Sequence, residues 1–158
     1  MQLYFDECCS TRFKIDLPAF FAADFPNLKV SHVLDSYDPG TGDSTWLKPL
    51  QEDRSIIVVT ADVGRDPSKE KLPLVCKKLG ITHIAFSATL INAGYTKQKS
   101  AIASVWAQIV EQVPLLPLGT QVKLGMRAYR GGVYRFELRV GGKPLSAIIS
   151  QDSERASP

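Results

Sequence analysis

The sequence predicts an α/β protein, a parallel sheet flanked by helices and extended at its C-terminal end by an antiparallel β-hairpin or three-stranded meander. Three observations predict it. Short apolar, β-prone runs alternate with segments of helical periodicity as far as residue 113. The run Ser55–Thr60, with Ile-Ile-Val-Val at its centre, is uninterrupted, as in a strand covered by helices on both faces. Beyond Gly119 the apolar period changes to two.

The first strand is Gln2-Leu3-Tyr4-Phe5, which stops at Asp6-Glu7. It precedes a helix whose apolar residues Phe13, Leu17, Phe20 and Phe21 recur at helical spacing. Val30–Leu34 reads as the second strand, followed by loop chemistry from Asp35 to Gly42. Asp43 then caps a short helix through Asp53, with Trp46, Leu47 and Leu50 inward. Ser55–Thr60 is the central strand and Ile81–Phe86 the fourth, separated by a helix from about Lys69 to Leu79 that Gly80 closes. A long amphipathic helix over Lys97–Val113 ends at Pro114 and Pro117. Val122, Leu124, Met126 and Ala128 then alternate with basic residues, as do Tyr134, Phe136, Leu138 and Val140 beyond Gly131-Gly132, which predicts a hairpin. Gly141-Gly142 allows a third strand through Leu145–Ile149.

These elements divide the chain into an α/β domain over 1–118, a basic antiparallel appendage over 119–150 and a loose tail over 151–158. Apolar residues make up 44% of the chain and charged residues 22%, a balance that excludes disorder. The first residues lack the charge and apolar length of a signal peptide, and no run approaches a membrane span, so a cytoplasmic protein is expected. Cys8, Cys9 and Cys76 have neither disulfide-framework nor zinc spacing and read as reduced packing residues. The net charge of +3 is unevenly spread: residues 119–150 hold Lys123, Arg127, Arg130, Arg135, Arg139 and Lys143 against Glu137 alone.

In an open parallel sheet, functional groups gather where strands end at their carboxyl edge. Those positions are acidic here: Asp6 and Glu7 after the first strand, Asp35 and Asp38 after the second, Asp62 and Asp66 after the third, and Asp43 at the helix start. Converging carboxylates repel unless protons or cations compensate, and oxygen ligands select Mg²⁺ or Mn²⁺. Such a cluster supports phosphodiester hydrolysis by metal-activated water with no histidine or nucleophilic side chain.

Leu3-Tyr4-Phe5-Asp6-Glu7, Asp43-Ser-Thr-Trp46-Leu47 and Ile57-Val58-Val59-Thr60-Ala61-Asp62 together resemble short PIN-like proteins related to the VapC toxins of bacterial toxin–antitoxin systems. The resemblance covers roughly residues 1–113. It implies a PIN-like parallel sheet and a metal-dependent endoribonuclease activity restrained by an antitoxin protein. Asp6, Asp43 and Asp62 are the implied catalytic and metal-binding carboxylates, Glu7 and Asp66 additional ligands, and Thr60 a hydrogen-bonding group beside the metal. The basic C-terminal strands have no counterpart in the family pattern.

Plainer readings stand beside these. Asp43 suits an ordinary N-cap, Asp62 and Asp66 suit turn residues, and Glu7, Asp35 and Asp38 suit solvated loop acids. His32 and His83 lie within strands and receive no role. Lys123, Arg127, Arg135 and Arg139 form either a solvated face or a surface for RNA or an acidic antitoxin segment, and the apolar hairpin face offers a homodimer contact. Two rival functions follow. One is a non-catalytic PIN-like module that binds RNA or protein through its basic hairpin. The other is a phospho-acceptor receiver using Asp6-Glu7, Asp62 and Ser87 or Thr89, which also requires a lysine on a fifth parallel strand, where Pro114–Gly119 supplies none.

Overall fold

The computed structural model describes residues 1–62, 67–68 and 70–148. Asp66, the expected helix start at Lys69 and the tail over 151–158 lie outside the described residues. Seven strands form one sheet in the order β2-β1-β3-β4-β5-β6-β7: β1 (Gln2–Phe5), β2 (Lys29–His32), β3 (Ile56–Thr60), β4 (His83–Phe86), β5 (Gln121–Ala128), β6 (Tyr134–Val140) and β7 (Lys143–Pro144). The first five strands of that order pair in parallel, while β5 with β6 and β6 with β7 pair antiparallel. The fifth parallel strand is therefore Gln121–Ala128, and it carries Lys123. Segment 119–150 shares the sheet of residues 1–118 through the β4–β5 pairing.

The sheet separates two apolar layers, as strand alternation requires. Leu3, Phe5, Ile57, Val59, Ile84, Phe86, Val122 and Leu124 face the larger one. It is completed by α1 (Phe13–Phe21), α4 (Ala88–Ala93), α5 (Tyr95–Ser104) and α6 (Trp106–Glu111). In α1, Phe13, Leu17 and Phe21 are buried at a four-residue spacing, whereas Phe20 is exposed. Phe13 stacks on Phe5 at 4.6 Å and Phe21 on Trp106 at 4.2 Å between ring centroids. On the other face Val58 packs with Trp46 and Leu47 of α2 (Asp43–Leu47) and with Leu72, Val75 and Cys76 of α3 (Leu72–Lys78).

Several elements differ from expectation. The helix expected over Lys97–Val113 is two, α5 and α6, broken at Val105, which leaves helical backbone at φ −107°, ψ 15°. Ahead of them α4 is a further helix, capped by the Ser87 side chain accepting from the Leu90 N–H at 3.2 Å. Gly94, at φ +85°, separates α4 from α5. The second strand ends at His32, and Val33–Asp35 tightens into a 3-10 turn. The helix from Asp43 lasts one turn before a second 3-10 turn at Lys48–Leu50, where Pro49 lacks the N–H a continuing helix needs. The third antiparallel strand is only Lys143–Pro144; residues 145–148 are helical and bury Leu145 in the larger layer.

The faces chosen by the helices give the fold its asymmetry. The crossover from β3 to β4 runs through α3 on one face, and that from β4 to β5 runs through α4–α6 on the opposite face, although both step in the same direction along the sheet. The last crossover thus has the opposite hand to its neighbour, a departure from the near-universal rule for parallel strands. One result is that no described helix covers β5 and β6 on the α2/α3 face. Another is that the apolar side of β5 and β6, through Val122, Leu124 and Leu138, is taken up by the protein's own core, where a homodimer contact was expected. No helix among the described residues is long and apolar enough to cross a membrane.

Candidate functional site

The crevice outside β1 and β3 is where chain connections leave in opposite directions, the switch point of an open α/β sheet. Asp6 follows β1, and its N–H donates to the Val59 carbonyl at 3.1 Å. Phe5 is paired with Val59, so the next residues, Asp6 and Thr60, meet on the α2/α3 face. The Thr60 hydroxyl donates to Asp6 Oδ2 and accepts the Asp62 backbone N–H at 2.9 Å. One buried threonine thereby fixes two acidic residues that the sequence separates widely.

Asp6 is only 4% exposed, and among the described residues its Oδ1 meets no hydrogen-bond partner. Burial pushes its pKa up to about 6; hydrogen bonding by Thr60, the Cys9 thiol and the Ala61 backbone N–H restrains the rise, and the Asp62 charge adds to it. An ionised carboxylate in such a place carries a desolvation cost that these hydrogen bonds offset only in part.

Asp43 occupies the first turn of α2, with Gly42 at the N-cap, and makes no capping hydrogen bond. The N-cap expectation for Asp43 is therefore corrected. Its Oδ1 instead accepts from the Trp46 indole N–H at 3.2 Å, and Tyr4 stacks on that indole at 5.5 Å. Burial raises the Asp43 pKa, the Trp46 hydrogen bond opposes this, and the charges of Asp62, Glu7 and Glu70 raise it further. These groups therefore share one electrostatic environment. Glu7 Oε2 accepts the Gly40 N–H at 2.8 Å and so ties the loop before α2 to the end of β1; Gly40 sits at φ +80°.

A cleft of about 280 Å³ joins Asp6, Glu7, Asp38, Asp43, Asp62 and Glu70, with Cys8 and Lys71 also on its wall. The expected residues Asp6, Glu7, Asp43 and Asp62 are brought together; Asp66 lies outside the described residues. Glu70 belongs to the site though the sequence reading placed it inside a helix. It precedes α3, and its Oε2 accepts the Ser44 hydroxyl at 2.5 Å. Asp35 is elsewhere, paired with Lys14 and accepting the His32 N–H at 2.9 Å. Among the described residues no three Asp, Glu, His or Cys side chains are already gathered into a ready metal-ligand set. As arranged, the cleft can attract a cation through its charge, and Asp6 Oδ1 is a buried oxygen without a well-formed hydrogen bond among the described residues.

The remaining candidates have structural surroundings. His32 Nδ1 accepts from the Leu34 N–H and its Nε2 lies 3.0 Å from the Cys9 carbonyl, so both ring nitrogens are engaged. His83 is fully buried with both ring nitrogens unpartnered among the described residues, and burial lowers its pKa to about 4. Cys9 and Cys76 are buried thiols, and burial raises both pKa values.

Of the basic residues, Lys123 is paired with Arg139 and Arg127 with Arg135, so alternation sets all four on the α2/α3 face. Arg139 is engaged by Glu137 at 2.5 Å and by the Gly142 carbonyl. No protein-family description matches this chain, and no curated protein or solved structure is significantly similar to it.

Proposed function

We propose that this protein is a metal-dependent endoribonuclease of the PIN-like type, the toxin member of a toxin–antitoxin pair, with its site in the Asp6 cleft. The observation that carries the reading is the buried Asp6 carboxylate, whose Oδ1 lacks a hydrogen-bond partner of good geometry among the described residues, at a cleft walled by five further acids. Natural proteins seldom retain such a group unless a ligand compensates it.

The residues present suit Mg²⁺ or Mn²⁺. Asp6, Asp43 and Asp62 are the proposed ligands, with Glu7 and Glu70 available to the outer sphere or as further ligands. A metal held by these residues would supply activation of water and charge to offset that on the phosphate being cut. The chain's own part is positioning. Thr60 holds Asp6 through its hydroxyl proton and Asp62 through its backbone, Trp46 orients Asp43, and Glu7 anchors the loop that carries Asp38. With no histidine among the described residues of the cleft, the proton lost by an attacking water would pass to a carboxylate or to solvent.

The receiver reading gains Lys123 on the true fifth parallel strand, but the opposite-handed crossover before that strand sets this sheet apart from the doubly wound pattern a receiver uses. The non-catalytic RNA- or protein-binding module remains the alternative, because it requires only the basic face.

The test is cleavage of a mixed RNA pool with Mn²⁺, with EDTA, and with Asp6→Asn or Asp43→Asn in parallel. The expected result is metal-dependent cutting that falls about 100-fold or more in either variant. Equal inertness of all three proteins, with RNA binding retained, would leave the binding module as the function.

A further inference from the structure

A second hollow, of about 410 Å³, opens directly beside the acidic cleft and shares Asp62 and Lys71 with it. It lies over β4 and β5 on the face that the opposite-handed crossover leaves without a helix. Its floor is β4 around Ala85; one wall is Pro73 and Leu74 of α3, and the other is Gln121 and Lys123 of β5. Leu74 is 62% exposed there, a large apolar side chain on a helix whose other apolar residues Leu72 and Val75 are buried.

The two hollows differ in charge. The first is walled by acids, whereas the second has lysines on two sides, Lys71 and Lys123, and Asp62 only at the shared edge. From Lys123 the basic face continues outward along β5 and β6 to Arg127 and Arg135. Arg139, next to Lys123 in register, is held by Glu137 and adds less free charge.

We infer that this second hollow is the subsite for the nucleotide adjoining the scissile phosphate of single-stranded RNA, with Lys71 and Lys123 on its phosphate and Leu74 and Pro73 against its base. The inference rests on the nuclease reading for the word scissile and deepens it by placing the substrate. Acids bind the metal and repel the polyanion, so the polyanion needs cations close by; the shared edge at Asp62 and Lys71 is where the two requirements meet. An apolar wall between two lysines matches a nucleotide, which has an uncharged flat base and a charged phosphate, better than it matches a bare anion. Strand β5 is thereby given two functions, as the last parallel strand of the sheet and as the first rail of the RNA path.

Binding of a fluorescent single-stranded oligoribonucleotide in EDTA separates this subsite from the metal chemistry. Lys123→Gln should weaken binding about tenfold and reduce the salt dependence by about one charge. Leu74→Ser should weaken it several-fold with the salt dependence unchanged, and Lys97→Gln, on the opposite face, should have no effect. Both wall residues are exposed, so neither variant threatens folding. Wild-type affinity in Lys123→Gln and Leu74→Ser, or no binding by the wild type, overturns the subsite. If binding responds as expected but no RNA is cut with Mn²⁺, the subsite stands and the nuclease reading falls; if cutting proceeds at full rate in both variants, the reverse holds.

Discussion

The two faces of the sheet are built from the same strands and have been put to different uses. Against the α1 side, Leu3, Phe5, Ile57, Val59, Ile84, Phe86, Val122 and Leu124 meet aromatic and aliphatic helix residues without a buried charge. Against the α2/α3 side the apolar cluster is smaller, and the same strands present Asp6, Thr60, His83 and Lys123. Since side chains alternate, each strand contributes to both. The comparison teaches that the large apolar core and the polar cleft are separated here by one residue of register.

Truncation on the first face should break that division most severely. Phe13 is fully buried, stacks on Phe5 and touches Tyr95 and Phe86. Phe13→Ala should cost about 3–5 kcal/mol of stability by urea denaturation. A loss below 1 kcal/mol would mean that the large layer is not what holds the fold.

The polar face should reveal itself through pH. His83 has its pKa depressed to about 4, below the 6.5 of an unfolded histidine, so the unfolded chain binds the proton more readily. The stability this neutral ring permits is fully present above pH 6.5 and is lost as pH falls through 4, about 3 kcal/mol in all. In His83→Gln the part of the acid destabilisation between those limits should disappear, as read from denaturation midpoints at pH 7 and pH 4.5.

Asp6 works in the opposite sense. Its pKa is raised from 3.8 to about 6, so its contribution favours folding below 3.8 and is lost as pH rises through 6. At pH 8 in EDTA, Asp6→Asn should therefore stabilise the protein, by about 1–2 kcal/mol once the imperfect fit of the amide is allowed for. Mn²⁺ should raise the melting temperature of the wild type and leave that of Asp6→Asn unchanged. A variant less stable than wild type in EDTA would show that Asp6 serves the fold and not the cleft. The smallest effect is expected at Lys14, whose ion pair with Asp35 lies at the surface; Lys14→Gln should change stability by less than about 1 kcal/mol.

Much of this was legible before folding was considered. The strands announced themselves by apolar runs, and Asp6 and Asp62 by standing at strand ends. Glu70 did not, because it lies in a stretch of turn formers and charges where no periodicity distinguishes a site residue from a solvated one. The break between α5 and α6 was hidden for a related reason: Ile102, Val105, Trp106 and Ile109 keep a continuous helical period across it, and Trp106, just beyond the break, packs on Phe21 and Phe25.

By itself the sequence determined the strands β1 to β6 within a few residues, where acids follow strands, and that β5 and β6 carry one basic and one apolar side, since all of these depend on neighbouring residues. Tertiary structure alone decided that Phe5 aligns with Val59, which brings Asp6 to Thr60, and that β5 joins β4 as a fifth parallel strand. It alone sent α4–α6 to the α1 face and left the basic side of β5 open beside the acidic cleft. Register and crossover direction are settled by contacts between residues tens of positions apart, whose energies are compared only when the whole sheet is assembled.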